Sequence, residues 1–204
     1  MNLEEIFTYT LRDRCISEDV ARIFELGLIS HHGRAGYFNG TIPEKFLNRT
    51  GLIFPVKNVY NKIESYYFKN RKGYHPKYDS LPFEKNLLFG LNVSKENILD
   101  SNAAILVEGP MDVLSLLSNG FSNTVALLGT SLKFSQMCLL RRFTTRCYIL
   151  LDGDPIGKSA ACDIRKLLED IGMSAHIATL PDGMDPDDFL KTYGPDELKK
   201  IIYR

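Results

Sequence analysis

Residues 104–112 read Ala104-Ile105-Leu106-Val107-Glu108-Gly109-Pro110-Met111-Asp112. The first four form an apolar run too short for a solitary helix, and a Gly-Pro turn follows before a new apolar pattern begins. This predicts a buried strand that delivers a carboxylate to the edge of a sheet. A second passage has the same design, because Tyr148-Ile149-Leu150-Leu151 ends in Asp152-Gly153-Asp154-Pro155. Two strands that each end in acid beside glycine predict one metal site.

Strand-like runs and helical patterns alternate through the second half of the chain. The strand-like runs are Ala104–Val107, Thr124–Leu128, Cys147–Leu151 and Ala175–Thr179, and the helical patterns between them are Met111–Ser118, Phe134–Phe143 and Ala160–Ile171. Such alternation predicts an α/β fold, a parallel sheet flanked by helices, with ligands beyond the carboxyl ends of the strands. Glu108, Asp152 and Asp154 fall at those ends. A final helix is predicted from Pro195, which suits a first helical turn.

The first half of the chain has a different pattern, which predicts a smaller α+β subdomain. Two short helices are predicted first, the second capped by Ser17 and ended by Gly27, and residues 30–41 are predicted to be a loop because they are rich in Gly, His and Asn. Leu52–Val56 and Ile63–Phe68 predict a hairpin or small antiparallel sheet. The periodicity changes near residue 100, which we take as the boundary between domains 1–100 and 101–204.

Charge is balanced over the whole chain, with 25 basic and 25 acidic residues, so composition does not imply bulk attraction to nucleic acid. The distribution is uneven. Residues 41–80, here called the basic segment, hold eight Lys or Arg and three Asp or Glu, whereas residues 100–204 hold eleven and fourteen. Lysines and arginines of the basic segment, Lys72 among them, are interleaved with tyrosines, as in proteins that bind single-stranded nucleic acid. A solvated strand face is the alternative.

The four cysteines, Cys15, Cys138, Cys147 and Cys162, are far apart and form no C-x-x-C pair, so the sequence does not predict a zinc ribbon. Free thiols in a reducing cytosol are the expectation. The chain opens with no charged-then-apolar leader, and no apolar run approaches 18 residues. These features predict a soluble, cytoplasmic protein with no membrane partner.

Acidic residues form three clusters, each after an apolar strand: Glu108 with Asp112, Asp152 with Asp154, and Asp182, Asp185, Asp187 and Asp188. Gathering several carboxylates without a cation is costly, and hard oxygen ligands favour Mg²⁺ or Mn²⁺. Each cluster has an ordinary alternative. Asp112 and Asp154 could cap the helices that follow them, and residues 182–188 could be a plain acidic turn. His31 and His32 could be metal ligands or exposed loop residues.

Several stretches of both halves of the chain resemble a known family. Val107–Val113, Leu127–Leu132, Leu151–Lys158 and Leu180–Asp187 resemble, in order and spacing, the Toprim domain of bacterial-type DNA primases. Phe54-Pro55-Val56, His75-Pro76-Lys77-Tyr78 and Leu88-Phe89-Gly90-Leu91 resemble elements of the amino-terminal subdomain of the primase catalytic core, of bacterial or phage type. Pro110 departs from the family pattern, where a tyrosine is usual.

This resemblance implies template-directed synthesis of RNA primers on single-stranded DNA by two-metal nucleotidyl transfer. By resemblance, Glu108, Asp152 and Asp154 are catalytic and hold two or more Mg²⁺ or Mn²⁺ ions, while Asp112, Asp185 and Asp187 enlarge the metal site. Arg49 and Lys77 match family positions that hold template and nucleotides, and Lys69 or Arg71 stands for a further family arginine. Lys158 contacts a phosphate or is a surface lysine.

The resemblance also implies partners. They are a single-stranded DNA template, ribonucleoside triphosphates and a separate zinc-ribbon or helicase protein, since neither the zinc ribbon nor the helicase-binding domain of primases is found in the sequence. A bacterial or phage-infected cell is the implied setting. Two alternatives remain: a Toprim metal-dependent nuclease that uses the same carboxylates, and a non-catalytic DNA-binding accessory protein.

Overall fold

Two separate sheets form the framework of the protein in a computed structural model that describes residues 2–71, 73–83 and 86–204. Lys72 of the basic segment therefore lies outside the described residues. One sheet belongs to the unit Met1–Glu84 and the other to the unit Lys85–Arg204. The division falls before the predicted residue 100. The reason is that helix residues before position 100 already pack on the second sheet. There, the buried Ser94 hydroxyl donates to the Thr124 carbonyl at 2.8 Å.

The first unit is built on a five-stranded antiparallel sheet with strand order β2-β1-β3-β4-β5. Its elements are helices α1 (Leu3–Asp13) and α2 (Glu18–Ile23), strands β1 (Gly27–Ser30) and β2 (Gly33–Gly36), a short 3-10 helix (Glu44–Phe46), and strands β3 (Gly51–Lys57), β4 (Ile63–Asn70) and β5 (Tyr78–Ser80). The predicted hairpin is the β3–β4 pair. Ile29, Ile53 and Phe68 alternate onto one face and form a buried cluster with Phe38 and Phe46.

Two predictions for this unit were wrong. Residues 30–41 are not a plain loop, because β2 pairs antiparallel with β1 across a turn at the exposed His31 and His32. Gly27 does not end α2, which stops at Ile23; it opens β1. One of the glycines that suggested a loop, Gly36, is needed by packing. At Gly36, φ is +88°, and a Cβ would lie 2.6 Å from the Phe7 ring.

The second unit is built on a four-stranded parallel sheet with strand order β7-β6-β8-β9. Its elements are α3 (Leu91–Ser101), β6 (Ala104–Val107), α4 (Pro110–Ser118), β7 (Thr124–Ala126), α5 (Phe134–Arg141), β8 (Arg146–Ile149), α6 (Pro155–Asp170), β9 (Ser174–Ile177) and α7 (Pro186–Ile202). The predicted parallel sheet flanked by helices is confirmed. Strand β6 is central and fully buried, which explains its unbroken apolar sequence.

The order of the strands creates a point where the chain reverses direction across the sheet. From β6 the chain moves to β7 on one side, and then returns to place β8 on the other side of β6. In open α/β sheets, ligands bind beyond the carboxyl ends of the strands at such a switch point. Glu108 directly follows β6, and Asp152 follows β8.

The last helix is longer than the sequence pattern predicted. Helix α7 begins at Pro186 and is interrupted at Gly194, where φ is +79°, so the predicted start at Pro195 is the start of its second segment. The acidic turn of residues 182–188 therefore runs into a helix at Pro186. Within the described ranges, no helix is long and apolar enough to cross a membrane.

The first turn of α6, which packs against the preceding acidic turn, requires a glycine. A Cβ on Gly157 would lie 2.2 Å from the carbonyl oxygen of Asp152, and this oxygen belongs to the backbone and cannot rotate away. We expect Gly157→Ala to lower the free energy of unfolding by about 1–3 kcal/mol, the usual cost of overpacking. Urea titration followed by far-UV circular dichroism measures this change.

Gly129→Ala is the matched control for this prediction. A Cβ at Gly129 meets no atom within 4 Å, so its effect should stay within about 0.5 kcal/mol. Equal unfolding midpoints for the two variants would show that the close approach at Gly157 does not constrain the turn.

Candidate functional site

Glu108 and Asp152 meet at the carboxyl edge of the parallel sheet. The two central strands are held in register by a hydrogen bond from the Leu150 N–H to the Leu106 carbonyl at 2.9 Å. Just beyond, the Asp152 N–H donates to Glu108 Oε1 at 3.3 Å. Both side chains are half-buried. The two strand-end acids predicted from sequence thus lie side by side at the switch point.

Asp154 lies on the same turn and caps α6. Its Oδ1 accepts from the Gly157 N–H at 2.7 Å, and its side chain is exposed. Beside it, the Gly153 N–H donates to the Met184 carbonyl at 2.8 Å, and a Cβ on Gly153 would lie 2.1 Å from the Pro181 carbonyl oxygen. The turn that carries Asp152 and Asp154 is therefore in direct backbone contact with the turn at residues 182–188.

Asp112 joins these turns electrostatically. Its Oδ2 accepts from the Gly109 N–H at 3.0 Å, at the start of α4. Burial raises the pKa of the Asp112 carboxyl well above its usual value, and the negative charges of Asp152, Asp185 and Asp187 raise it further. Three predicted acids from two other parts of the chain therefore lie close enough for their charges to act on Asp112.

The third acidic turn brings three ligand atoms together. Carboxylate oxygens of Asp185, Asp187 and Asp188 lie within 4.8 Å of one another. Asp185 caps α7 by accepting from the Asp188 N–H at 2.7 Å. Among residues 2–71, 73–83 and 86–204, no other group of three acidic, histidine or cysteine ligand atoms meets so closely. Glu108, Asp152 and Asp154 are therefore more widely spaced.

Asp187 differs from its neighbours because it is only 1% exposed. The Ser115 hydroxyl of α4 donates to Asp187 Oδ1 at 3.2 Å, and Lys191 Nζ lies 3.1 Å from Asp187 Oδ2. Neither Ser115 nor Lys191 was predicted from sequence. A lysine four residues after an aspartate is a recognisable helical ion pair, but only once α7 is known to begin at Pro186. Nothing in the sequence points to Ser115.

Lys158 is directed at the acidic turn. Its ammonium forms an ion pair with the exposed Asp182 carboxylate, and this contact lowers the pKa of Asp182. The lysine that was predicted to contact a phosphate or to lie on the surface therefore has an acidic partner in the described structure.

The basic segment lies in the first unit and contains both paired cations and cations over aromatic rings. Arg49 Nη1 bonds Asp79 Oδ2 at 2.7 Å, and Lys45 bonds the other oxygen. Burial alone would raise the pKa of Asp79, but these hydrogen bonds lower it. Lys69 and Lys77 place their ammonium groups 4.8 and 5.5 Å from the centre of the Tyr78 ring. Arg71 is exposed.

Both a family model and a known relative match this chain. A family model described as Toprim-like matches residues 105–190, the stretch that contains every predicted acid from Glu108 to Asp187. DNA primase from Aquifex aeolicus is 40% identical over 171 residues, which cover 80% of this chain and 34% of the relative.

Solved structures show the same fold. The zinc-binding and RNA polymerase domains of Aquifex aeolicus primase superpose with a TM-score of 0.83 at 33% identity, covering 96% of this chain and 55% of that one. A DnaG primase catalytic domain bound to single-stranded DNA gives 0.79 at 23% identity, covering 100% and 72%. The chain spans about a third of the length of the curated relatives it matches. By sequence and by fold, the chain is similar to the Toprim-containing catalytic cores of bacterial DNA primases.

Proposed function

We propose that this chain carries out the polymerase step of a DNA primase, the joining of ribonucleotides on a single-stranded DNA template. The observation that carries the proposal is the pairing of Glu108 with Asp152 at the switch point of the parallel sheet. Ligands of α/β sheets bind at this place. The similarity to primases over most of the chain supports the choice of reaction.

The residues at this edge fit divalent ions of the Mg²⁺ type. Every donor in the cluster is a carboxylate oxygen, the ligand that Mg²⁺ and Mn²⁺ prefer. The pKa of Asp112 is raised first by burial and further by the negative charges of Asp152, Asp185 and Asp187, which a cation would neutralise. We propose that Glu108, Asp152 and Asp154 hold the principal ions, with Asp112 and Asp185 completing the site.

Two bound ions would activate the primer 3′ hydroxyl and stabilise the pyrophosphate leaving group. The contribution of the protein is then to fix the carboxylates in place, since phosphoryl transfer depends on positioning and charge neutralisation rather than on a side-chain nucleophile. The backbone hydrogen bonds to Asp112, Asp154 and Asp185 hold those carboxylates in position before any ion binds.

We propose that template and ribonucleoside triphosphates contact the basic segment through Arg49, Lys69, Arg71 and Lys77. Cations beside an aromatic ring suit phosphates next to stacked bases, and Tyr78 with Lys69 and Lys77 is such an arrangement. Lys158 is the proposed phosphate contact in the second unit, where a phosphate would compete with Asp182. A separate zinc-ribbon or helicase protein is the proposed partner.

The test of function is incubation with single-stranded DNA, labelled ribonucleotides and Mg²⁺ or Mn²⁺, with and without an added zinc-ribbon or helicase protein. We expect new oligoribonucleotides. Shortened DNA would indicate a Toprim nuclease instead, and DNA retention without either product would indicate an accessory protein. Asp152→Asn combined with Asp154→Asn should lower primer synthesis by at least about 10²-fold, because the carboxylates that would hold the charge-neutralising ions are lost.

The matched control for this double variant is Asp163→Asn with Asp170→Asn. Both of these aspartates are exposed on α6. The control therefore removes the same number of negative charges at positions away from the sheet edge. Their primer synthesis should be close to that of the unsubstituted chain. Full activity of the Asp152 and Asp154 variant would overturn the metal assignment.

Binding of single-stranded DNA should depend on salt through the basic segment. Five cations in contact with phosphates would give a slope of log K against log salt of about −3.5, and loss of two should make it shallower by about 1.4. We expect this change for Lys69→Ala with Lys77→Ala, measured by fluorescence anisotropy at several salt concentrations. Lys199→Ala with Lys200→Ala, on α7, is the control and should leave the slope unchanged.

Asp112 should make metal-free stability depend on pH. Its raised pKa means that the folded chain keeps the proton to a higher pH than the unfolded chain, so stability falls as pH rises from about 4 through the raised pKa. Asn cannot ionise. We therefore measure the unfolding midpoint of Asp112→Asn minus that of the unsubstituted chain in the presence of a chelator. This difference should be larger at about pH 8 than at about pH 4.5.

Adding Mg²⁺ at the higher pH should reverse the difference, because the ion stabilises the ionised Asp112 carboxylate and has less effect on the amide. Urea midpoints with and without Mg²⁺ measure both effects. If the gap between the two proteins is the same at both pH values, Asp112 is not under the charge repulsion described above.

A further inference from the structure

Both carboxylate oxygens of Asp187 have side-chain partners. Ser115 donates to Oδ1 at 3.2 Å, and the Lys191 ammonium lies 3.1 Å from Oδ2. Asp187 is 1% exposed and Ser115 is fully buried. Asp185 at the start of the same helix is half-buried, and Asp188 is exposed. The three acids of this turn are therefore not equivalent in their access to an incoming ion.

These contacts join the two helices that carry Asp112 and Asp185. Ser115 lies one turn beyond Asp112 on α4, and Asp187 lies in the first turn of α7, which Asp185 caps. A shift of the start of α7 relative to α4 would break the bond between Ser115 and Asp187. The buried contact therefore determines where Asp185 stands relative to Asp112.

Lys191 adds a positive charge inside the acidic cluster. Besides its contact with Asp187, its Nζ lies 4.0 Å from Asp188 Oδ1. Its side chain is 29% exposed, so this ion pair is only partly screened by water. A buried carboxylate left without its partner is strongly unfavourable, whereas replacing both partners is often tolerated. Removing Lys191 alone should thus be worse than removing both charges.

We propose that Ser115, Asp187 and Lys191 form an anchor that positions Asp185, and that Asp187 acts through this anchor rather than as a direct ligand. Mg²⁺ keeps several water molecules when it binds proteins, and a 1% exposed carboxylate offers little room for them. Ser115 and Lys191 are positioning residues for the metal site. The inference rests on the proposed function, since it concerns the same ions.

The sign of the effect of Lys191 on metal affinity tests the proposal. If Lys191 acted only by its charge, Lys191→Met would make Mn²⁺ bind more tightly, because a competing cation is removed. Positioning predicts the opposite. We expect Mn²⁺ affinity, measured from free Mn²⁺ by electron paramagnetic resonance, to fall by about tenfold or more, as for other residues that orient metal ligands.

Three further variants define the result. Lys191→Arg keeps the charge and can keep the contact, so it should retain Mn²⁺ affinity within about threefold. Lys199→Met is the control for loss of an exposed lysine on the same helix. Adding Asp187→Asn to Lys191→Met should cause no further loss if Asp187 is not a ligand. Tighter or unchanged Mn²⁺ binding by Lys191→Met, or a further large loss in the double variant, would overturn the proposal.

A metal-free measurement separates the anchor from the proposed function. In urea with a chelator, Lys191→Met should lower the unfolding midpoint of the unsubstituted chain and have much less effect on a chain that already carries Asp187→Asn, as expected for two residues in contact. Additive effects would mean that the anchor does not exist. If the unsubstituted chain binds no Mn²⁺, the proposed metal site fails, while this cycle still decides whether the anchor is formed.

Discussion

Negative charge gathered at one edge of the parallel sheet is the constraint on which the second unit depends. Two carboxylates about 4 Å apart repel by roughly 1 kcal/mol in water and about 4 kcal/mol at an effective dielectric of 20. The protein offsets this repulsion with backbone N–H groups at helix starts. Asp112, Asp154 and Asp185 each accept one such hydrogen bond, at the beginning of α4, α6 and α7. The positive ends of three helices therefore converge on the acids.

The sequence left open whether Asp112 and Asp154 are helix caps or metal ligands, and the observed hydrogen bonds are compatible with both roles. A carboxylate has two oxygens, so one can accept from a helix N–H while the other faces an ion. Each of the three helices also has proline in its first turn: Pro110, Pro155 and Pro186. Pro110 replaces a family tyrosine, but a first helical turn is where proline fits best. Proline at position 110 is therefore compatible with the helix start at which Asp112 accepts its hydrogen bond.

The sequence predicted what depends on local pattern and missed what depends on packing. Residues 104–107 were predicted as a buried strand and match β6, because a central parallel strand has an unbroken apolar sequence. Strand β2 was missed because its glycines look like a loop, although Gly36 is where the Phe7 ring packs. The acids were found because they follow strands, whereas Ser115 is related to Asp187 only through the docking of α4 against α7. That docking leaves no periodic signal in the chain.

The acids alone do not distinguish primer synthesis from the other chemistry of Toprim proteins, because the same carboxylates serve a nuclease. The Toprim-like match is confined to residues 105–190, and it is equally compatible with either reaction. The match to Aquifex aeolicus primase covers 80% of the chain and therefore includes much of the first unit. In that unit, Lys69 and Lys77 lie near the Tyr78 ring, an arrangement suited to the phosphates and bases of a single strand. The proposal of primer synthesis therefore rests on a unit that contributes none of the proposed metal ligands.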